Sequence, residues 1–374
     1  MAKQVSIDVV IPSFRLEEKY LLPILQLKRP ESAIIRFYLV ADNPALVPAE
    51  AIKSLVDNEH VFLTVNSRNL GAALTRNKGI EMGQGDWILF LDDDIVCNAD
   101  LLETYVHAIE QYPEEIGFIG LVNLPKPGKS FSHAILANGS MDTFTLAAKY
   151  DSAAWGATAN LMISRKAVGD VRFSERYPKF GGGEDVDFFI NIRERNGYRN
   201  YKTLPAAAVA HPWWDNENAN FKRFFRYGVG NSFLPQLNPK YAYRDLLDGP
   251  ETLFMAVLAT IVLSVINIHW LAPMLTLIGG ILLIEIIAII VQALKRKVKP
   301  SLATFRYMVQ LRFVYESGIL WGNLTRFRLA GISQRFNFDG SFPKKGKIFE
   351  TNTYKTIKWI LYPVLVFFIV KRFM

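Results

Sequence analysis

The pattern of apolar and polar positions changes character near residue 245. Before it, mainly apolar runs are short and separated by polar segments: Ile7–Phe14, ending in Pro12-Ser13, Ile34–Ala41, Val61–Val65 and Trp87–Leu91. Runs of this kind read as buried strands of a parallel sheet. Between them, Glu17–Lys28, Glu50–Leu55 and Ala72–Met82 read as helices, the first with apolar positions at Leu21, Leu22, Ile24, Leu25 and Leu27. Strand and helix in strict alternation predict an α/β fold, with a mostly parallel sheet and helices on both faces. Gly156–Ile163 predicts a further strand, with Trp155 and Asn160 beside it.

After Thr252 the apolar runs are long. Leu253–Ile268 and Leu271–Leu294 approach or exceed the ~20 residues a bilayer span needs, and the break at His269–Pro273 makes them a helical hairpin. Lys295, Arg296 and Lys297 place the second exit in the cytoplasm. Glu285 lies inside the second span, either as a functional group or neutralised within the bundle. Residues 301–330 mix Phe305, Met308, Phe313, Trp321 and Phe327 with Arg306, Arg312, Arg326 and Arg328, the character of an interfacial helix whose arginines attract lipid phosphate. Residues 331–355 read as a cytoplasmic loop. Ile357–Val370 reads as a third span, with a re-entrant or surface segment as the alternative because Lys371 and Arg372 lie beyond it. The expected organisation is therefore a domain over 1–245 and a membrane region over 246–374, with spans about 253–269, 271–294 and 357–370.

Composition adds less. The chain has 374 residues and a formal charge of +8. Many basic residues flank the apolar segments, among them Lys299, Lys355, Lys358 and Lys371, which favours anionic lipid as the partner. A basic, aromatic-rich soluble face is missing, so nucleic acid is not expected. Cys97 is the only cysteine, which excludes an intrachain disulfide; it reads as a small residue rather than a catalytic thiol. The opening Met-Ala-Lys-Gln-Val-Ser lacks the apolar core of a signal peptide, so the first domain is expected in the cytoplasm.

The chemistry concentrates at Asp92, Asp93 and Asp94, where the Trp87–Leu91 strand ends. Three like charges at a strand end repel one another and call for a cation, and oxygen ligands suit Mg²⁺ or Mn²⁺. The crevice beyond strand ends is also where open α/β sheets bind ligands. A solvated acidic loop is the competing reading. Neither G-x-G-x-x-G nor G-x-x-x-x-G-K-[ST] follows the first strand, which argues against a dinucleotide-binding dehydrogenase and a P-loop enzyme.

Five motifs then occur in order: Val9-Val-Ile-Pro-Ser13, Asn69–Gly79, Leu91-Asp-Asp-Asp94, Gly183-Glu-Asp185 and Arg223-Phe-Phe-Arg-Tyr-Gly228. Together they resemble a family-2 glycosyltransferase of the GT-A fold over about residues 5–235. The second strand departs from the family pattern, ending in Ala41-Asp42 where paired aspartates are usual.

The resemblance implies transfer of a sugar from a nucleotide diphosphate sugar, with inversion. Asp92 and Asp94 serve the metal and diphosphate; Asp93 orients the sugar or is simply solvated. Asp185 matches the general base, and the neighbouring carboxylate of Glu184 tends to raise the pKa of one of the pair. A helix N-terminus, where carboxylates favour the dipole, is the competing reading and is compatible with the first. The resemblance further implies Pro12, Ser13, Asp42 and Arg76 for the donor base and ribose, His211 as a metal ligand and Arg226 as a diphosphate contact. Trp213 and Trp214 read as acceptor stacking or a membrane-interface pair.

Apolar anchoring favours a lipid-linked acceptor in cell-surface glycan or glycolipid synthesis at the cytoplasmic face. Arg223-Phe-Phe-Arg-Tyr227 lacks the Gln-x-x-Arg-Trp of processive members, which favours single-sugar addition over a processive polysaccharide synthase. A membrane scaffold that binds a nucleotide sugar without turnover is the rival from another class.

Overall fold

The computed structural model describes residues 4–296 and 300–373. Lys297 and Lys299 of the basic flank lie outside the described residues. The chain divides into two compact units, the first running to Pro127 and including Met141–Asn216 and Phe338–Gly340. The second holds Gly128–Ser140, Glu217–Asn337 and the residues from Ser341 onward. The division thus falls at 216/217, earlier than the change of hydropathy near 245.

In the first unit the strands are β1 (Val5–Ser13), β2 (Ala33–Ala41), β3 (Val61–Val65), β4 (Trp87–Leu91), β5 (Val96–Cys97), β6 (Gly117–Asn123), β7 (Ser152–Ala153), β8 (Asn160–Ser164) and β9 (Tyr201–Ala210). They form one sheet in the order β3-β2-β1-β4-β8-β6-β9-β5, with β7 on β9. β1 pairs in parallel with β2 and β4, and β2 with β3, as the alternation predicts. β8 is antiparallel to both β4 and β6, so the sheet is mixed beyond β4. The helices are α1 (Glu18–Leu25), α2 (Glu50–Lys53), α3 (Ala72–Met82) and α4 (Leu101–Gln111), then α6 (Arg165–Val168) and α7 (Glu184–Arg195); α5 (Ser130–Ala137) belongs to the second unit.

The core sits on the sheet. Val10, Ile88, Phe90, Leu161 and Ile163 from the strands meet Ile80 of α3 and Phe188, Phe189 and Ile192 of α7. Phe90 is edge-on to Phe173, Phe188 and Phe189, so β4 is clamped just before its acidic end. Gly79 allows α3 to approach β1: a Cβ there would lie 2.4 Å from a methyl of Val10. Two residues before Val10 on β1, fully buried Asp8 accepts from Gly85 N and Arg165 Nη2, each at 2.6 Å. That ion pair ties β1, the β4 entry and α6 together.

The second unit holds α5, α8 (Phe221–Asn231), α9 (Leu234–Leu237), α10 (Gly249–Ile266), α11 (Leu271–Lys295), α12 (Leu302–Leu324) and α13 (Thr353–Phe373), with a short hairpin of β10 (Ala242–Arg244) and β11 (Gln334–Phe336). The carboxylate of Glu217 accepts from the Gly128 and Lys129 amides at the start of α5. α8 and α12 cross at glycines: a Cβ on Gly318 would lie 2.2 Å from the Phe225 carbonyl, and one on Gly228 2.1 Å from that of Tyr315.

Two helical stretches, Gly249–Ile266 and Ile268–Lys295, are long and apolar enough to cross a membrane. The first opens on a capping box, in which Asp248 accepts from Glu251 N and the Glu251 side chain accepts from Asp248 N. α12 covers most of the stretch read as an interfacial helix, and three arginines of that stretch are engaged within the unit. Arg312 Nε donates to Glu316 at 3.0 Å, and Arg326 donates to the Ser232 carbonyl at 3.1 Å and stacks on Phe233. Arg328 donates to Gln334 at 2.7 Å. These three guanidinium groups find their acceptors within the unit, on α12 itself, at the end of α8 and on β11.

Candidate active site

The acidic triplet is held between two strands. β4 ends at Leu91, and after the turn β5 pairs antiparallel with Ala210 and Val209, the last residues of β9. β9 breaks register against β6 between Gly120 and Leu121, around Pro205, and then resumes pairing to Asn123. His211 N continues the ladder, donating to the Asn123 carbonyl at 2.9 Å. The bulge therefore delivers His211 beside Asp94, with Nε2 3.3 Å from Oδ1.

One ligand atom from each of Asp92, Asp94 and His211 lies within 4.8 Å of the others. His211 is buried between Phe144, 5.4 Å away by ring centroid, and Trp214, at 5.9 Å. Its Nδ1 lies 2.6 Å from the Pro212 carbonyl, which can only accept. The proton is therefore fixed on Nδ1, and Nε2 faces the carboxylates, the arrangement of a metal-binding histidine. Two carboxylates and an imidazole fit a divalent cation, and the nitrogen donor suits Mn²⁺ better than Mg²⁺.

Electrostatics agree with a cation-seeking site. Burial pushes Asp94 upward, but the hydrogen bond and charge of His211 and the guanidinium of Arg15 outweigh it and hold the carboxyl down at about 2. Burial pushes His211 down, yet the hydrogen bond and charge of Asp94 carry it above its ordinary value. Asp93 goes the other way. Burial raises it against the Ser13 hydrogen bond and the Arg15 charge, with Asp94 and Asp92 adding repulsion.

Ser13, buried at the end of β1, donates to Asp93 at 2.6 Å and accepts from Leu16 N at 3.0 Å. Pro12 precedes it on the same strand. Arg15, absent from the sequence reading, donates to Asp93 at 3.2 Å and Asp94 at 2.7 Å, and its side chain stays half exposed. The only signal for it was a basic residue just past a strand end.

Arg76 on α3 is buried and donates to Asp92 Oδ1 at 3.0 Å, while its Nε has no hydrogen-bond partner. Asp42 is tied into the fold. Its Oδ1 accepts from Asn66 Nδ2 at 2.9 Å and Leu70 N at 2.8 Å, and its Oδ2 from Gly71 N at 2.8 Å. It braces the loop that launches α3 and keeps about one lone pair for a ligand.

Asp185 stands in the first turn of α7, after Gly181, Gly182 and Gly183 with φ of 88°, 115° and 87°. Those angles require glycine. Glu184 is buried, and its Oε2 accepts from Gly182 N at 2.6 Å. Burial and the Glu184 charge push Asp185 up to about 7, against the Val186 amide and the Arg76 charge. A carboxylate near neutrality is what a general base needs.

Trp213 is buried and donates to the Pro125 carbonyl at 2.9 Å, which favours a packing role over stacking on a sugar. Asn160 is a buried brace, donating to the Ala207 carbonyl at 2.8 Å and accepting from Tyr105 at 2.8 Å. Arg226 lies on α8, in the second unit.

Comparison with known proteins fits this geometry. Residues 8–171 match Glycosyl transferase family 2. A curated relative, amylovoran biosynthesis glycosyltransferase AmsB of Erwinia amylovora, is 24% identical over 199 residues, covering 50% of this chain and 64% of its own. Glucosyl-dolichyl phosphate glucuronosyltransferase of Haloferax volcanii is 36% identical over 66 residues, covering 18% of this chain and 21% of that one. Among solved structures, GalNAc-T7 with UDP, GalNAc and Mn²⁺ aligns at a TM-score of 0.42 and 14% identity, over 64% of this chain and 52% of that one. The chain spans less than two thirds of the length of these relatives. Over residues 8–171 the chain is similar to the family-2 glycosyltransferases.

Proposed function

We propose that the protein is an inverting, divalent-metal-dependent glycosyltransferase, moving a sugar from a nucleotide diphosphate sugar to a lipid-linked acceptor at a membrane surface. The observation that carries the reading is the convergence of Asp92, Asp94 and His211 at the strand ends. It is supported by a carboxylate on a helix start, Asp185, raised to about 7.

In this reading Asp92, Asp94 and His211 hold Mn²⁺ or Mg²⁺. When bound, such an ion would supply charge stabilisation to the departing diphosphate. Asp185 takes the proton of the acceptor hydroxyl. The oxygen attacks the anomeric carbon from the face opposite the diphosphate; the glycosidic bond forms as the carbon–oxygen bond to the diphosphate breaks, and the nucleoside diphosphate leaves with the electron pair. Arg76 holds Asp92 in place and, with its spare Nε–H, contacts the donor. Pro12, Ser13 and Asp42 border the nucleotide side, with Asp93 toward the sugar. Glu184 tunes the base.

The two apolar helical stretches support anchoring in a bilayer, with the domain on the cytoplasmic side. An anchored enzyme meets a lipid-linked acceptor by diffusion in two dimensions. The test supplies labelled donor sugars and Mn²⁺ to the purified chain, with and without membrane lipid extract. Label carried one sugar at a time into the organic phase is expected. Label in long polymer would overturn single addition, and binding without nucleotide release from any donor would make the protein a non-catalytic scaffold.

A further inference from the structure

α13 carries Lys355, Lys358, Lys371 and Arg372, and it is not one of the two helical stretches described above as apolar enough to span a bilayer. Two of those charges do not face outward. Lys358 is fully buried and paired with Glu285 of α11, and Lys355 is buried with its Nζ 2.8 Å from Asp245. Tyr354, Lys358 and Tyr362, spaced by four, form one stripe. All three reach Glu285, the Tyr362 hydroxyl at 3.3 Å.

The contacts along α11 run in reverse order. Lys295 Nζ donates to Thr353 Oγ1 at 2.9 Å. Glu285 meets the stripe centred on Lys358. A Cβ added at Gly280 would lie 2.4 Å from Leu365 Cδ1, so glycine is what lets the helices close there. α13 is therefore antiparallel to α11 from residue 295 back to residue 280. A helix lying on the bilayer surface would cross α11 instead of running along it.

The other side of α13 is apolar and uncovered, with Ile360, Phe367 and Phe368 all about 60% exposed and Val364 nearly half exposed. Its 21 residues make about 31 Å of helix, close to the thickness of a bilayer's hydrocarbon core. Burial of a lone lysine there would be costly, but a lysine paired with a carboxylate that two tyrosine hydroxyls also satisfy is neutral overall.

We infer that α13 is a third membrane-crossing helix, seated on α11 by the Glu285–Lys358 pair, with its Ile360–Phe367 face against lipid acyl chains. The inference rests on the reading that α10 and α11 cross the bilayer. It places Phe373 on the same side as the turn at His269, and Lys345 on the opposite side.

The single native cysteine makes this testable by labelling. In full-length protein carrying Cys97→Ser, the exposed positions His269→Cys, Lys345→Cys and Phe373→Cys are made one at a time and probed in sealed vesicles with a membrane-impermeant maleimide. The expected result is at least tenfold preference for one side by the 269 and 373 variants, and the reverse preference by the 345 variant. If 269 lies opposite 345 but 373 labels with 345, α13 does not cross and the inference falls alone. If 269 labels with 345, α10 and α11 do not cross, and both the anchoring reading and the inference fall.

Discussion

Charged residues are used in opposite ways in the two units. In the first, Asp92, Asp93 and Asp94 sit at a strand end with 28%, 13% and 13% of their side chains exposed, and one of their partners, Arg15, is half exposed. In the second, Asp245, Asp248, Glu251, Glu285 and Glu316 are all buried and meet Arg312, Arg335, Lys355 and Lys358. Arg335 alone bridges Asp248 at 3.1 Å and Glu251 at 2.5 Å. The acids of the second unit are neutralised by their own unit and hold helices together. In the first, Asp93 and Asp94 also meet a half-exposed arginine, Arg15, whose place a bound cation could take. Residue type does not separate a binding cluster from a structural one; the accessibility of the counter-charge does.

The largest expected effect lies on the structural side. Lys358→Met leaves Glu285 buried without its cation, and breaking one side of a buried pair costs about 3–5 kcal/mol. The thermal midpoint in detergent should fall sharply. Adding Glu285→Gln removes the orphaned charge and should recover most of the loss. A double variant no more stable than the single would show that the pair does not seat α13.

Next is the exchangeable side. Asp94→Asn removes one carboxylate of the proposed metal site and one end of the Arg15 and His211 contacts. Loss of several kcal/mol of charge stabilisation corresponds to about 10³-fold in transfer. Because one of its counter-charges, Arg15, is half exposed, the thermal midpoint should move by less than a few degrees. Undiminished turnover in chelator would remove the metal from the mechanism.

The strands were legible because they are nearly all apolar. β3, β4 and α3 begin and end where the sequence pattern places them, at Val61–Val65, Trp87–Leu91 and Ala72–Met82. β9 was not anticipated, since Lys202, Thr203 and Pro205 interrupt its apolar run, and its bulge is set by pairing with β6. The antiparallel direction of β8 is likewise a property of pairing that a short apolar run does not encode. Side-chain commitments were the least legible. The carboxylate of Asp42 is largely consumed by Leu70 and Gly71 amides far along the chain, and Arg312 and Arg326 reach acceptors on other elements, Gln292 of α11 and the Ser232 carbonyl. The acidic triplet and Gly183-Glu-Asp185 could be read because like charges at strand ends and helix starts are local features.

Asp185 should show a smaller loss with a pH signature. Asp185→Asn is expected to bind donor normally and lose roughly 10²-fold or more in turnover, the scale of general-base catalysis. The base works only when deprotonated, and burial and Glu184 raise it to about 7. Activity should therefore fall about tenfold per pH unit below 7 and level off above it. Glu184→Gln removes the repulsive charge, so the acidic limb should shift to lower pH. A limb that stayed in place would separate Glu184 from the base.

The smallest effect distinguishes an exchangeable counter-charge from a fixed one. Arg15 Nη2 lies 2.7 Å from Asp94 Oδ2, so a cation binding that carboxylate competes with the guanidinium. The arginine side chain is 49% exposed, and ion pairs in such settings are worth about 0–1 kcal/mol. Arg15→Gln should accordingly change stability by less than about 1 kcal/mol and tighten Mn²⁺ binding by a few-fold, never more than about tenfold. Counting free Mn²⁺ by electron paramagnetic resonance against protein concentration reads that affinity without any substrate. Arg76→Gln makes the contrast: its guanidinium is buried and bound to Asp92, so its loss frees a carboxylate but also opens the packing beneath α3. That variant should lose stability where Arg15→Gln does not. Weaker Mn²⁺ binding in Arg15→Gln would mean that the arginine organises the acidic cluster instead of standing in for the metal.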